Sequence, residues 1–324
     1  MDSSDSWAIG VDLGGTKIEV ALVDAAGNLR QRTRRPTQAH RGPAAVKADL
    51  VAAIEALKNG ASPLPVGVGV GVAGQIDALN GTVRFSPNLG WHDEPFREVL
   101  QQALGLAVVV TNDVRAATWG EWLHGAGQGC ADLICLFVGT GVGGGVVSSG
   151  QMLSGCNNSG GELGHITIDL NGSPCRCGNR GCLEALAGGW AIAERAQELI
   201  AADPGAGASM LEIVGGKLDA VTAKIVAEAS QKGDRLALQI IDEATKALIA
   251  GAVSLVNAFN PCRLILGGGV IEGLPELVDR IAQGVGQQAL KSATESLQIM
   301  LSRLHNDAGV VGAAALAMRS IQKT

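Results

Sequence analysis

The segment Cys175-Arg176-Cys177-Gly178-Asn179-Arg180-Gly181-Cys182-Leu183-Glu184, with His165 ten residues before its first thiol, holds the densest chemistry of the chain. Three thiols and an imidazole are the donor set of a closed Cys3His zinc site, in which soft sulfur ligands select zinc over hard cations. The C-x-C-x4-C spacing is not that of the common zinc ribbons. Reduced thiols without a metal are the competing reading, but the tight glycine turn and the nearby His165 bring four ligands within reach. Glu162 stands one helical turn before His165, and Glu184 two residues after Cys182. An ion gathering His165, Cys175, Cys177 and Cys182 would therefore also gather two carboxylates and an imidazole into a rigid polar pocket. In this reading the metal builds the pocket and does no chemistry itself.

Asn112-Asp113 closes an apolar run. An Asp at a strand end can take the proton of a hydroxyl as its oxygen attacks a phosphorus. The same pair can instead cap the helix that follows, and spacing leaves both readings open. Ser86-Pro87-Asn88-Leu89-Gly90-Trp91 reads as a turn that presents an amide. Three glycine turns complete the inventory. In Asp12-Leu13-Gly14-Gly15-Thr16-Lys17, backbone N–H groups can turn onto phosphate oxygens, Thr16 adds a hydroxyl, Lys17 a cation, and Asp12 a carboxylate for hydrated magnesium. It is not a Walker loop, because the spacing is wrong and a strand follows it. Gly139-Thr140-Gly141-Val142-Gly143-Gly144-Gly145 repeats the arrangement. It contains G-x-G-x-x-G, but a strand follows here too, so a Rossmann loop is rejected. Leu266-Gly267-Gly268-Gly269-Val270 is the third turn. One such turn is ordinary, whereas three at matching places suggest a nucleotide held across a cleft.

The elements that must position these groups can be read from periodicity. Strands are predicted at 7–12, 17–23 and 28–35, and a helix at 42–58 with Val46, Leu50, Ile54 and Leu57 on one face. The run Val66-Gly67-Val68-Gly69-Val70-Gly71-Val72 reads as a buried strand with glycine where another element packs closely. A short helix at 94–104, a strand at 107–111 and a helix at 114–123 follow. A similar order restarts near 131, with strands at 132–138 and 144–149. The thiol segment comes next, then helices at 188–202, 217–231 and 234–259, a strand at 263–266, a helix at 275–290 and a last helix at 308–320. Two similar halves, each opening with a glycine-turned strand pair, predict a mixed-sheet α/β chain with a cleft between two lobes.

The 324 residues suffice for two domains, and 47% apolar residues support packed interiors. Seven cysteines, an odd count in a core-rich chain, do not read as a disulfide framework; Cys130, Cys135, Cys156 and Cys262 are expected to be small buried hydrophobes. No membrane-length apolar run occurs, and the polar, acidic start is not a secretory signal, so a cytoplasmic protein without membrane contact is expected. Net charge is −6, and the one basic run, Arg30-Gln31-Arg32-Thr33-Arg34-Arg35, alternates like a solvated strand edge, so no nucleic-acid partner is expected.

Taken together and in this order, residues 12–17, Asn112-Asp113, residues 139–145, Glu162-x-Gly-His165, Cys175-x-Cys-Gly-x-x-Gly-Cys182-x-Glu184 and residues 266–270 resemble the ROK family of sugar kinases, of the actin-like ATPase superfamily, over essentially the whole length. The resemblance implies an α/β, two-lobed actin-like ATPase (ribonuclease H-like) fold with its ligand cleft between the lobes. The smaller domain would be 1–115 plus 307–324, and the larger 116–306 with the zinc insertion and adenosine site. The implied activity is ATP-dependent phosphorylation of a hexose 6-hydroxyl, with Asp113 as catalytic base. Asn88, Asn112, Asp113, Glu162, His165 and Glu184 would bind the sugar. Asp12, Gly14, Gly15, Thr16 and Lys17 would form the first phosphate loop and Gly139, Thr140, Gly141 and Gly143 the second, with Gly268 and Gly269 beside the adenosine. His165, Cys175, Cys177 and Cys182 would hold a structural zinc, and magnesium would accompany ATP. A homodimer or homotetramer is the family's usual state.

The turn at Ser86–Trp91 and the Gly160-Gly161-Glu162-Leu163-Gly164-His165 run resemble the glucokinase branch, which places glucose first. N-acetylmannosamine and N-acetylglucosamine kinases share the zinc knot and remain the alternative; fructokinases usually depart from the C-x-C-G-x-x-G-C pattern. The lack of a basic cluster favours ATP over polyphosphate as donor. Repressors of the family carry a helix-turn-helix before the first glycine turn, and with that turn at Asp12 a DNA-binding regulator is not expected.

Overall fold

The computed structural model describes residues 6–321. Contacts divide them into two compact units, 6–129 with 153–160 and 303–321, and 130–152 with 161–302.

The first unit opens with an antiparallel meander, β1 (Trp7–Leu13), β2 (Lys17–Asp24) and β3 (Leu29–Pro36), followed by α1 (Pro43–Asn59) and by β4 (Val68–Val72), which lies parallel to β1. Next come a small antiparallel sheet of β5 (Gln75–Ile76), β6 (Val83–Ser86) and β7 (Trp91–Glu94), then α2 (Phe96–Leu104), β8 (Val108–Asn112) and α3 (Asp113–His124). The main sheet runs β3-β2-β1-β4-β8. Side chains alternate across it with period two. Ile9, Val11 and Leu13 of β1 and Val68, Val70 and Val72 of β4 join a core with Val46, Leu50 and Ile54 of α1 and Phe96 and Leu100 of α2. The opposite face is built of small residues. Ala8 and Ala21 there pack with Val310, Val311, Ala314 and Ala317 of the final helix, which returns from the far end of the chain. A methyl group at Gly69 would run into the Ala313 carbonyl of that helix. The Val-Gly alternation of β4 is thus a core face on one side and a helix seat on the other.

The second unit repeats the pattern with β9 (Leu133–Val138), β10 (Val142–Ser148), β11 (Gln151–Met152), α4 (Leu183–Ala187), α5 (Gly189–Ala202), α6 (Ala208–Ile213), α7 (Ala223–Gln231), α8 (Arg235–Phe259), β12 (Arg263–Gly267), α9 (Gly269–Gly273), α10 (Glu276–Gln288), α11 (Lys291–Thr294) and β13 (Gln298–Leu301). Its sheet runs β11-β10-β9-β12-β13. As in the first unit, the opening strand pairs antiparallel with the second and parallel with the fourth. The 25-residue α8 buries Ile240, Ile241, Leu248 and Leu255 against Leu136, Leu264 and Leu266 of the sheet. The final helix, α12 (Ala308–Ile321), belongs to the first unit and crosses α3 at close range, where a side chain at Gly120 or Gly312 would overlap the partner's backbone. That contact keeps α3 in the first unit, beyond the expected break at residue 115.

Three expectations differ from the structure. The helix predicted at 217–231 starts only at Ala223, because Gly215 and Gly216 take left-handed conformations (φ 63° and 80°) and only a single 3-10 turn separates them from α7. The sequence does not predict the strands β5, β6, β7, β11 and β13. They span only two to four residues, too few for alternation to register. Of the cysteines expected to be buried outside the zinc motif, Cys135 is buried and Cys130 half-buried, whereas Cys156 and Cys262 are exposed. No helix among the described residues is long and apolar enough to cross a membrane.

Candidate active site

In the first unit the glycine turn 14–16 joins β1 to β2, so Asp12 and Lys17 are strand-end residues, and only Thr16 of the loop is fully exposed. A Cβ at Gly15 would lie 2.8 Å from Cβ of Asn88, so the 14–16 turn and the Asn88 turn are in direct contact. Asn88 itself is exposed in the connection between β6 and β7. The Lys17 ammonium sits 3.3 Å from Glu19 and 3.9 Å from Asp12. Glu19 is fully buried and also meets Arg34 at 2.9 Å and Arg32 at 3.5 Å. The basic run of β3 is thus largely spoken for: Arg32 also pairs with Asp307, and Arg30 with Asp24. Burial pushes the Asp12 carboxyl above its usual range, and Lys17 pulls it the other way. A divalent cation at Asp12 would relieve that desolvation penalty.

Asn112 and Asp113 divide the two roles that spacing left open. Asn112 is the cap of α3, its Oδ1 accepting the N–H groups of Val114 (3.0 Å) and Arg115 (3.1 Å), while its Nδ2 donates to the Gly74 carbonyl (3.1 Å). Asp113 is the first residue of the helix, half-buried, with Oδ1 accepting the Val114 N–H at 2.9 Å. Because Asn112 does the capping, Asp113 is not required for it.

In the second unit the turn Gly139-Thr140-Gly141 joins β9 to β10, closed by Gly139 N–H donating to the Gly141 carbonyl at 2.9 Å. Gly143 lies within β10 rather than in the turn. The Glu184 carboxylate stands directly beneath this turn. It accepts the Val142 N–H at 2.9 Å, and a side chain at Gly141 would collide with it. The N-terminal end of α5 supports the same turn, with Gly189 N–H bonding Gly139 O and Trp190 N–H bonding Thr140 O, both at 2.9 Å. Gly268 (φ 87°) precedes the short α9, which begins at Gly269.

Glu162 is exposed at the start of a 3-10 turn, Leu163–His165, which seats Gly164 on the Val142 carbonyl of β10. His165 Nδ1 lies 3.7 Å from Cys175 Sγ, and Cys177 Sγ lies 3.7 Å from Cys182 Sγ; all four donor atoms fall within 4.8 Å of one another. A tetrahedral zinc with sulfur at about 2.3 Å has ligand–ligand edges of about 3.8 Å, so the donors present fit the ion in kind and spacing. The thiols converge because the 175–182 loop folds back on itself, with Cys175 N–H bonding Asn179 O at 2.8 Å and Gly178 N–H bonding Cys175 O at 3.0 Å. Burial, together with the Cys177 and Cys175 thiols, pushes the Cys182 thiol up to about 12. Such crowding disfavours thiolates until a cation is there to share them. Arg176 lies over the Trp190 ring, 4.3 Å from its centroid, and fastens the loop to α5.

Two buried charged residues on α3 escaped the sequence reading. Arg115 reaches four acceptors in the 153–160 segment. Glu121 accepts backbone N–H groups from Ala126 (2.8 Å), Arg303 (3.1 Å) and Leu304 (2.7 Å), which ties α3 to the residues just before α12. With Thr118 these form an i, i+3, i+6 polar stripe. By pattern alone such a stripe reads as a solvated face.

A family model described as "ROK family" matches residues 8–320. A glucokinase of Halalkalibacterium halodurans is 36% identical over 314 residues, 95% of this chain and 94% of its own. An N-acetylmannosamine kinase of Escherichia fergusonii is 31% identical over 318 residues, 95% of this chain and 97% of its own. Among solved structures, a ROK family glucokinase from Streptomyces griseus in complex with glucose and AMPPNP superposes with a TM-score of 0.84 at 34% identity, covering 97% of this chain and all of that one. With the doubled sheet order and the placed motifs, these similarities settle the classification: the chain has the actin-like ATPase fold and belongs to the ROK family.

Proposed function

We propose that the chain is an ATP-dependent hexose kinase that phosphorylates the 6-hydroxyl of glucose. The observation that carries this reading is the division of labour at the start of α3. Asn112 caps the helix with its side chain, and the Asp113 carboxylate follows it as the first helical residue, directly after β8. Glucokinase relatives at 36% identity and the likeness to a glucokinase that holds glucose and AMPPNP support the same substrates.

In this mechanism Asp113 takes the proton of the 6-hydroxyl as that oxygen bonds the γ-phosphorus and the bond to the β-phosphate oxygen breaks; ADP leaves with the electron pair. Asn88, Asn112, Glu162, His165 and Glu184 read the other hydroxyls. Each hydroxyl both donates and accepts, so an unmatched one is costly. The turns at 14–16 and 139–141 supply N–H groups to the phosphates, and Asp12 would hold magnesium, which would neutralise phosphate charge. His165, Cys175, Cys177 and Cys182 would hold a structural zinc, which would fix the imidazole of His165 for sugar binding. The two compact units serve as the two domains, with adenosine beside Gly268 and Gly269. The reading extends to a cytoplasmic enzyme acting as a homodimer or homotetramer.

The 31% identical N-acetylmannosamine kinase favours a second reading, in which the sugar carries a 2-acetamido group. Comparing kcat/KM for glucose, mannose, N-acetylglucosamine, N-acetylmannosamine and fructose with ATP and magnesium tests both. Glucose is expected to lead; a lead for either acetamido sugar replaces the first reading with the second, and no turnover with any of them removes both.

A further inference from the structure

Arg115 is 7% exposed, and its side chain holds one loop by both ends. One terminal nitrogen donates to Oδ1 of Asn158; the other donates to the carbonyls of Leu153 (2.8 Å), Gly160 (2.9 Å) and Ser154 (3.3 Å). The loop closes on itself through Gly160 N–H and the Ser154 carbonyl at 2.8 Å. Asn158, in a left-handed conformation (φ 58°), donates onward to the Ile76 carbonyl of β5 at 3.1 Å. The segment 153–160 therefore packs with the first unit, although the chain on either side of it belongs to the second.

The position of this staple along the chain gives it a role. Arg115 lies two residues after Asp113, and its backbone N–H is one of the two that Asn112 caps. Gly160 lies two residues before Glu162, separated from it only by Gly161 (φ 93°). Arg115 thus joins two stretches of chain, since it follows directly on Asp113 and Val114 and the Gly160 carbonyl it holds leads directly into Gly161 and Glu162. A guanidinium suits the task because its planar fork meets several carbonyls at fixed angles, which an ammonium cannot do.

We propose that Arg115 is a positioning residue for sugar binding, one that fixes residues 153–160, the stretch of chain that leads into Glu162. This rests on the hexose-kinase reading above. Loosening the staple displaces a sugar-binding carboxylate without touching the nucleotide loops. A shift of about 1 Å in a positioned group costs on the order of 100-fold in rate.

The test compares wild type with Arg115→Lys, Arg115→Met and, as a variant that strands no buried charge, Asn158→Ala. Steady-state constants are measured for glucose and for ATP, alongside hydrogen exchange of the 153–163 amides. The expected result is a glucose KM raised about tenfold or more in Arg115→Met and less in Asn158→Ala and Arg115→Lys. The ATP KM stays within about twofold, and exchange rises across 153–163. Folded variants with wild-type glucose KM overturn the positioning role alone, as does a matched rise in both KM values. A wild type without glucose-dependent ADP release overturns the kinase reading and this role with it.

Discussion

Chelating the zinc proposed for His165, Cys175, Cys177 and Cys182 should remove sugar affinity while most of the fold survives. The thiols are not part of the main core of the second unit. Cys175 and Cys182 form a satellite with Ala185 and Trp190, apart from the large cluster built on α8. Loss of the ion should therefore unravel the 165–182 region and leave α5, α8 and the sheet in place. Glu184 has its own anchor in the Val142 N–H, so it keeps its position. His165 loses its tether, and Glu162, at the start of the same 3-10 turn, loses its support on that side while Arg115 still holds Gly160 on the other. Two hydrogen bonds to charged or fixed partners, at about 1.5 kcal/mol each, amount to about 3 kcal/mol. At about 1.4 kcal/mol per tenfold, glucose affinity should fall about 100-fold. The assay is calorimetric titration of glucose and, separately, of a nucleotide analogue into metal-replete and chelator-treated protein, with metal content measured on both. Far-UV circular dichroism should change little, nucleotide affinity should hold within about threefold, and the glucose isotherm should flatten. Verified metal-free protein that binds glucose within about threefold of the replete form would refute the reasoning.

Two further outcomes follow from titratable groups on α3. Burial holds the His124 imidazole below its usual range, against the pull of the Ala26 carbonyl and Asp24. The unfolded chain therefore takes up this proton first as pH falls below about 6.5, and stability should drop between there and the lower folded value. Asp24 and Asp77 titrate in a separate window. Burial opposes ionisation of Asp24 but is outweighed by the Asn28 and Ala26 N–H groups, and the Leu79 N–H holds Asp77 down, so their contributions vanish only below about pH 4. Thermal midpoints measured from pH 7.5 to 5.5 should decline in wild type and decline less in His124→Gln; equal slopes would contradict this. For Glu121, replacement by Ala strands three backbone N–H groups, and by Gln turns one acceptor into a donor. The Gln variant should lose about 2 kcal/mol and the Ala variant more, read by denaturant titration of the fluorescence of Trp119 and Trp122, whose tilted rings have centroids 4.9 Å apart. An Ala variant within about 0.5 kcal/mol of wild type would show that the carboxylate is not a structural anchor.

What could be read in advance was whatever carries a local signature. The meander β1 to β3, the face of α1 through Val46, Leu50, Ile54 and Leu57, and the Val-Gly alternation of β4 each announce their element by periodicity. The convergence of Cys175, Cys177 and Cys182 was legible because a short glycine turn leaves the thiols nowhere else to go. What escaped is non-local. Arg115 and Glu121 look like solvent-facing residues until segments 38 to 45 and 182 to 183 positions away fold over them. The Asn112 and Asp113 roles were indistinguishable by spacing, since either side chain can cap; only the helix start at Asp113 separates them. Cys156 and Cys262 look apolar as residue types, but each sits in a connection between elements, where exposure is set by the neighbouring backbone.

Asp113 stands at the centre of this account, and the most direct measurement is glucose-dependent phosphoryl transfer in wild type and Asp113→Asn, with the product identified by phosphorus NMR and glucose binding measured in parallel. Wild type should yield glucose 6-phosphate. The variant should bind glucose within about tenfold of wild type yet lose transfer by about 1,000-fold or more, because a base acts in the transition state and hardly in the ground state. A phosphate on another hydroxyl, or a variant that turns over near the wild-type rate, would contradict it.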